Sequence, residues 1–413
     1  MSEPETWAQV RAEVRQWLAD HWQPDLPLSQ WRGLLADSGW ACPTWPQRWC
    51  GRGLSGELSR VVADELKRAV VPGAPEGVGM ALVAPVLLEY GSDALKERYI
   101  RPTVTGEITW CQLFSEPGAG SDLAGLQSRA SLEADGWRVS GQKVWSTGAA
   151  TADFGLLLAR TDWDVPKHQG ITAFVLPMHQ PGVQVRPLRQ MNGHSSFNEV
   201  FFDAAAIPAD HVIGAPGGGW AVARTTLAHE RRLAAFPPTP ATSSGRAWRE
   251  AIAEKTAAAE PHKWYPQRAG RSDLVISQAR ALRLAGDPVV RQEIAKLIEL
   301  SWSARWMSER AAAARAAGQR PGPEGSLGKL ASSKIAKQAA RVHSLIAGSN
   351  GLLGGQDSLL AGIVTEIAVS VPAISIAGGT DEIQRSIIAE RILGLPREPD
   401  ISVGVPFRDV RTG

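Results

Sequence analysis

The run WCQLFSEPGAGSD, residues 110–122, governs how the rest of the chain is interpreted. Its first half is apolar and short enough for a buried strand, and the Pro-Gly-Ala-Gly segment that follows prevents the strand from continuing. Glycines in such a turn let the backbone approach a flat or anionic ligand closely. Ser115 and Ser121 add small hydroxyl groups beside it. Taken alone, the pattern is also typical of an ordinary connecting turn.

Further motifs appear downstream and upstream of this turn. GQKVWSTG occupies residues 141–148, IAGGTDEIQR residues 376–385, and GWACPTWP and GRGLS residues 39–46 and 51–55. In this order, and across about residues 5 to 397, the motifs resemble those of the flavin-dependent acyl-CoA dehydrogenases. The Gly-Gly-Thr of the last motif is similar to a bacterial branch of that family.

Composition sets outer limits on function. The chain has 413 residues, 44% hydrophobic and 21% charged, which is typical of a globular protein with two or three packed domains. Its 44 Lys and Arg against 42 Asp and Glu leave a formal charge of +2, so neither nucleic acid nor membrane partners are predicted. Three cysteines without metal-ligand spacing indicate reduced thiols and no metal site. With no signal peptide and no apolar run near about 18 residues, we expect a cytoplasmic protein without membrane insertion.

The periodicity of apolar residues changes twice along the chain and predicts an α+β fold with three domains. Residues 1–107 read as helical, with apolar residues every fourth position at Val10, Val14, Leu18 and Trp22. Residues 108–215 contain short apolar or alternating runs punctuated by glycines, which indicates a small barrel of antiparallel strands. Residues 216–413 are helical again, with an irregular stretch at 237–286 that is rich in Ala, Pro, Ser and Arg and is predicted to form a loop and short helices. The resemblance implies the same order: an N-terminal helical domain, a middle β-barrel domain and a C-terminal helical bundle.

The reaction implied by the resemblance is α,β-dehydrogenation of an acyl thioester. A base removes the α proton, a hydride passes from the β carbon to N5 of FAD, and the thioester carbonyl is polarised. The resemblance implies the following FAD contacts from the β domain and the last motif: Leu113, Ser115, Ser121, Trp145, Thr147, Gly379, Thr380 and Glu382. Gly348 lies in a glycine-rich segment that resembles one approaching the dinucleotide of a neighbouring subunit, although it could be only a helix cap.

One family feature is missing from the sequence. Many members carry an Arg-x-x-Phe-Gly motif that clamps the adenine half of FAD across the dimer, and no such string follows Glu230. Arg291 lies at about the right place and could pair with a phosphate.

The catalytic base is the sharpest question. Many members have a glutamate directly before the Gly-Thr of the last motif, but here Gly378 occupies that position and only its backbone N–H could contact the thioester carbonyl. Other branches place the base in a Glu-Arg pair on the helix after the β domain, which Glu230 and Arg231 match. We therefore predict Glu230 as the base, with Asp381 and Glu366 as weaker candidates. A solvated salt bridge to the neighbouring arginines is the alternative for Glu230.

The resemblance also implies partners. Ser121, Arg231 and Gly378 are candidate contacts for an acyl-CoA or acyl-carrier-protein thioester, and electron-transfer flavoprotein is the expected electron acceptor. We expect a homodimer or homotetramer active in lipid metabolism, with a hetero-oligomer as an alternative. Two other functions stay open: a flavin oxidase or monooxygenase on the same fold, and a non-catalytic subunit of a hetero-oligomeric acyl-CoA dehydrogenase.

Overall fold

The computed structural model describes residues 6–230, 243–317, 322–355, 358–399 and 402–410. Within these residues the chain forms two compact units. The first comprises Met1–Leu188, Ser196–Pro261 and Ser402–Gly413, and the second comprises Arg189–Ser195 and His262–Ile401.

The first unit begins with helices, as the four-residue spacing predicts. They are α1 (Trp7–His21), α2 (Leu28–Ser38), α3 (Gly56–Arg68), α4 (Ala84–Tyr90) and α5 (Asp93–Thr105), and a π-helical turn at Gly79–Val83 runs directly into α4. A reciprocal capping box between Thr6 and Gln9 starts α1. The face that carries Val10, Val14 and Leu18 is buried. Burial of this stripe, rather than helix propensity alone, stabilises α1.

The same unit contains one mixed sheet. Its strands are β1 (Trp110–Leu113), β2 (Arg129–Glu133), β3 (Gly136–Lys143), β4 (Phe154–Arg160), β5 (Ile171–Pro177), β6 (Val183–Leu188), β7 (Phe197–Ile207) and β8 (Val212–Ile213). The strand order is β6-β7-β3-β2-β4-β5-β8, and β1 pairs in parallel with β4.

The predicted barrel is not confirmed, because the sheet is open. Within residues 6–230, β6 and β8 form its two ends and do not pair with each other. Nor are all pairs antiparallel, since β4 runs parallel to both β1 and β2. Alternation and glycine punctuation predict short strands, but they carry no information on whether the first and last strands meet.

The central strands β4 and β5 are buried on both faces. Leu156 and Val175 belong to the core shared with the N-terminal helices, whereas Leu157 and Phe174 belong to the core on the opposite face of the sheet. This double burial explains why both strands read as continuous apolar runs rather than as alternating ones.

Among the described residues of this unit, two helices follow the sheet: α6 (Gly219–Glu230) and α7 (Arg246–Ala259). The second lies inside the stretch predicted to be irregular, of which residues 237–242 are outside the described residues. It docks on the N-terminal helices, where the Trp248 indole N–H donates to the Val70 carbonyl at 2.6 Å and Glu254 pairs with Arg32 at 2.6 Å. Tertiary contacts therefore stabilise α7.

The second unit is helical, as predicted for this part of the chain. Its helices are α8 (Tyr265–Arg268), α9 (Val275–Ala281), α10 (Pro288–Ala316), α11 (Glu324–Ala347), α12 (Ile363–Ser370) and α13 (Asp381–Arg391). The long pair α10 and α11 packs through Leu297 and Val342, and the Gln338 amide donates to the Glu293 carbonyl at 2.9 Å. In the part of the chain that the structure describes, every helix is too short or too polar to cross a membrane.

Candidate active site

The turn in residues 110–122 is built beside the second motif. The Ser115 carbonyl accepts a hydrogen bond from the Val144 N–H at 2.9 Å, so the end of β1 lies against the residues that follow β3. Glu116 and Ala119 exchange two backbone hydrogen bonds of 3.0 Å each, which closes the turn. The structure thus brings the first two motifs together, as the resemblance implies.

A buried ion pair between Lys143 and Glu116 stabilises this turn. The Lys143 side chain is 0% exposed and donates to the Phe114 carbonyl at 3.0 Å and to Glu116 Oε1 at 2.7 Å. The Glu116 carboxylate also accepts from the backbone N–H groups of Gln127 and Ser128 at 2.6 and 2.9 Å. Burial would raise the pKa of Glu116, but these partners hold it below its ordinary value, whereas burial lowers the pKa of Lys143.

Trp145 is presented to solvent in an unusual backbone conformation. Its φ is +64°, in the left-handed region that bulky residues avoid, and its side chain is 55% exposed. The Phe197 ring packs against it edge to face, with centroids 5.5 Å apart. Asn198 holds the next residue, donating from its side-chain amide to the Ser146 carbonyl at 2.9 Å. A strained, exposed tryptophan held by such contacts is characteristic of a functional site.

The other site residues predicted in the first unit differ in how exposed their side chains are. The Leu113 side chain is fully buried in the core, so only its backbone can face a ligand. Ser115 and Thr147 are half-buried, and Ser121 is exposed next to Asp122.

Glu230 is the last described residue of α6 and is half-buried. The Gln112 side-chain amide, on β1, approaches Glu230 Oε2 to 3.5 Å. The predicted base is therefore next to the strand that leads into the first motif. Arg231 lies outside the described residues.

The Gly378 loop of the second unit has two successive left-handed glycines. Gly378 and Gly379 have φ of +67° and +85°. The buried Gln384 amide donates to both of their carbonyls at 3.2 Å. A Cβ on Gly379 would lie 2.6 Å from that amide nitrogen, whereas a Cβ on Gly378 would meet nothing within 4 Å. Gly378 is thus exposed in open space and has no side chain that could accept a proton.

The helix after this loop begins at the next predicted residues. The Thr380 hydroxyl caps α13, accepting from the Ile383 N–H at 3.2 Å, while Glu382 is exposed and pairs with Arg385. Asp381 is buried between Lys337 at 3.0 Å and Lys329 at 3.4 Å.

This environment decides the protonation of Asp381. Although burial opposes ionisation, hydrogen bonds from Ser333 and Lys337 lower the pKa of Asp381 to about 2. Lys329 also donates to the Ile374 carbonyl at 2.6 Å and so holds the start of the loop.

Two other predicted residues of this unit lie on α11 and α10. Gly348 is the C-cap of α11, with a positive φ of +54°, which fits the cap interpretation and leaves the residue exposed. Arg291 is exposed in the first turn of α10, where its backbone N–H donates to the Asp287 carbonyl at 2.9 Å.

Sequence reasoning missed several residues that shape the site: Gln112, Glu116, Lys143, Asn198 and Gln384. Lys143 and Glu116 carried a signal, because a charged residue at the end of an apolar strand is exposed unless it is paired. The other three are neutral amides whose partners are backbone groups or distant side chains, and no local pattern distinguishes them.

The residues of the first unit fit a flat cofactor such as FAD. Trp145 offers an exposed aromatic face, and a Cβ on Gly118 or Gly120 would meet nothing within 4 Å. The Ser146 hydroxyl is buried and has no hydrogen-bond partner among the described residues. Open space over a glycine turn, a flat ring and a buried polar atom are the features that a flavin needs.

Comparison with known proteins places this chain in a class of flavin-dependent oxidoreductases. Family models match in order: "Acyl-CoA dehydrogenase, N-terminal domain" at residues 5–107, "middle domain" at 111–205 and "C-terminal domain" at 274–393. Acyl-CoA dehydrogenase FadE34 of Mycobacterium tuberculosis is 36% identical over 90% of this chain, which spans only 47% of that relative's length. Acyl-CoA dehydrogenase IpdE1 of the same organism is 33% identical, with 94% of this chain and 98% of the relative covered.

A solved structure gives the same result. The Tcur3481-Tcur3483 steroid ACAD is 25% identical with a TM-score of 0.64, covering 96% of this chain and 99% of that one. The chain therefore belongs to the acyl-CoA dehydrogenase family, whose members are FAD-dependent oxidoreductases acting on CH–CH bonds. The predicted family, enzyme class and cofactor are confirmed.

Proposed function

We propose that this chain catalyses α,β-dehydrogenation of an acyl thioester with Glu230 as the base. The observation that carries the proposal is the half-buried Glu230 carboxylate 3.5 Å from the Gln112 amide, on the strand that leads into the flavin turn. In this reaction Glu230 takes the α proton, and the electrons of that C–H bond form the new double bond.

The chemistry of the other carboxylates supports Glu230. Asp381 is held ionised by two lysines, and its pKa of about 2 makes it a poor proton acceptor. Glu366 accepts from His194 at 3.2 Å and from Gln267 at 3.3 Å, so both of its oxygens have partners within the second unit. Gly378 supplies no carboxylate at all.

The contacts predicted for FAD are retained as part of the proposal: Leu113, Ser115, Ser121, Trp145, Thr147, Arg291, Gly348, Gly379, Thr380 and Glu382. FAD, when bound, supplies the acceptor for the hydride that leaves the β carbon. The backbone N–H of Gly378 polarises the thioester carbonyl, and Ser121 and Arg231 contact the substrate. The domain limits 1–107, 108–215 and 216–413 belong to the same proposal.

A bulky, ring-bearing acyl-CoA is the substrate we propose to test first. The similarity to a protein named as a steroid ACAD supports this choice. The exposed Gly378, which leaves open space where many family members carry a glutamate side chain, supports it further. We assign the reaction to lipid metabolism in the cytoplasm.

The partners follow from the same assignment. Electron-transfer flavoprotein is the proposed electron acceptor. The proposed assembly is a homodimer or homotetramer, with a hetero-oligomer formed with a second chain of the family as the alternative. The name Tcur3481-Tcur3483, which pairs two proteins, supports the alternative.

Anaerobic titration of the purified protein with a panel of straight-chain, branched and steroid acyl-CoAs tests the proposal. Bleaching of the flavin band at about 450 nm, with a 2-enoyl-CoA product, is the expected result. Rapid reoxidation by air with formation of peroxide would instead indicate an oxidase or monooxygenase. Purification without flavin unless a partner chain is co-expressed would indicate a non-catalytic subunit.

A further inference from the structure

The segment of residues 402–410 packs against the sheet of the first unit. The Phe407 N–H donates to the Val165 carbonyl at 2.9 Å and the Arg408 N–H to the Trp163 carbonyl at 3.0 Å. The Phe407 ring is only 3% exposed and lies 5.4 Å from the Trp163 ring. An ion pair between Arg408 and Asp164 adds to this contact. The segment lies beyond residues 274–393, which the C-terminal family model matches.

Beneath Phe407 lies a buried arginine at the end of β4. The Arg160 side chain is 0% exposed, and its guanidinium donates to three backbone carbonyls: Ala124 at 2.6 Å, Leu126 at 3.1 Å and Lys167 at 3.1 Å. The guanidinium carbon is 3.4 Å from the centroid of the Phe407 ring. The ring therefore covers one face of the guanidinium and keeps water from it, while the N–H groups point at the carbonyls.

Two of these carbonyls, those of Ala124 and Leu126, belong to the turn that directly follows the first motif. Ala124 lies in the 3-10 turn Leu123–Gly125, next in sequence to Ser121 and Asp122. The Asp122 carboxylate is also held from the same loop that the segment contacts, because Lys167 Nζ lies 3.1 Å from it. A chain of contacts thus runs from Phe407 through Arg160 to the residues beside Ser121.

We propose that Phe407 is a positioning residue, which fixes the turn at residues 121–126 through Arg160 and so increases the affinity of the chain for FAD. Without the ring, water reaches the guanidinium of Arg160. This water then competes with the carbonyls of Ala124 and Leu126 for the N–H groups. The turn opens more often, while the base at Glu230 is untouched. The link to FAD rests on the proposed role of Ser121 in the cofactor site.

Three substitutions of Phe407 separate the effect of the aromatic ring from the effect of its apolar volume. Phe407→Ala removes both, Phe407→Leu keeps the apolar volume without the ring, and Phe407→Tyr keeps the ring. Val403→Ala, in the same segment but 77% exposed, is the matched control. Backbone hydrogen exchange over residues 121–126 is measured in the 413-residue chain without FAD, and FAD affinity is measured by flavin fluorescence.

We expect exchange over residues 121–126 to be about tenfold faster in Phe407→Ala and in Phe407→Leu, and wild-type in Phe407→Tyr and Val403→Ala. The FAD dissociation constant should rise by about tenfold in the first two variants, with kcat at saturating FAD within about twofold of wild type. This separation of affinity from turnover is not expected of general destabilisation.

Two results would overturn the inference. One is faster exchange in residues 402–410 of Phe407→Leu with residues 121–126 unchanged. The other is an exchange increase spread evenly over the sheet, which would make Phe407 a general stability contact. The exchange readout needs no substrate, so an inactive wild-type protein would refute the proposed function and leave this test intact.

Discussion

Replacing Lys143 by methionine should destabilise the protein by removing the cation of a buried pair. Methionine preserves most of the apolar volume, so the main loss is electrostatic. Lys143 is the source of two contacts, to the Phe114 carbonyl at 3.0 Å and to Glu116 Oε1 at 2.7 Å, and it has no access to water that could replace them.

The magnitude follows from what remains around the carboxylate. Breaking a buried ion pair by removing one partner costs about 3–5 kcal/mol. Glu116 keeps the N–H donors of Gln127 and Ser128 at 2.6 and 2.9 Å. We therefore expect a loss near the lower end, about 3 kcal/mol at pH 7.

The stability lost in Lys143→Met should depend on pH. In the wild type the pKa of Glu116 is lowered, so its stabilising contribution is present above the unfolded pKa of about 4.3 and is lost as the pH falls. Without Lys143, burial instead raises the pKa of this carboxyl in the folded state. When the carboxyl takes up a proton, the cost of burying its unpaired charge disappears. The difference between the two proteins should therefore narrow as the pH falls from about 7 to about 5.

Urea unfolding followed by tryptophan fluorescence at both pH values measures this difference. The double variant Glu116→Gln with Lys143→Met should recover much of the loss, because no unpaired charge stays buried. Arg305→Met, at an exposed arginine paired with the exposed Glu309, is the control and should change stability by less than about 0.5 kcal/mol. A loss below about 1 kcal/mol for Lys143→Met, or a pH-independent one, would refute the reasoning.

Two further substitutions test the two glycine-rich loops. Trp145→Gly relieves a left-handed φ, so the free energy of unfolding should stay unchanged or rise by up to about 1 kcal/mol, while the FAD dissociation constant rises about tenfold by flavin fluorescence. A variant that binds FAD as well as the wild type would exclude Trp145 from the cofactor site. Asp381→Asn should cost about 1–3 kcal/mol at pH 7 in urea unfolding. This cost should shrink as the pH falls from about 4 toward 2, since the wild-type carboxyl, with its pKa of about 2, loses its ionic contribution there; a constant difference would contradict the ionic role.

Much of the fold could be predicted because its elements have local signals. The stripe of α1 and the apolar runs of β4 and β5 are visible in the sequence, since burial on one or both faces dictates which residues occur there. By contrast, α7 lies in a stretch for which a loop and short helices were predicted, and its length of 14 residues was not predicted. Its stability depends on contacts such as that of Trp248 with the Val70 carbonyl, 178 residues away, and no local pattern encodes such a contact.

For the candidate site, the sequence predicts only residues that match a family motif. Family motifs identify Trp145 and Gly378 as candidates, but they do not reveal that Lys143 supports the turn after β1 or that Gln112 approaches Glu230. Both depend on which strand end faces which helix. Nor could the sequence show that Asp381 is paired with two lysines, because those lysines come from a different helix, α11.

The most direct test of the central claim is stopped-flow flavin reduction by Glu230→Gln under anaerobic conditions, with the acyl-CoA that reduces the wild type fastest. Glu89→Gln, an exposed glutamate on α4, serves as the control. If Glu230 is the base, the variant should bind FAD like the wild type but reduce it about a thousandfold more slowly, while the control is unaffected. Reduction of the Glu230→Gln flavin at the wild-type rate would contradict the claim.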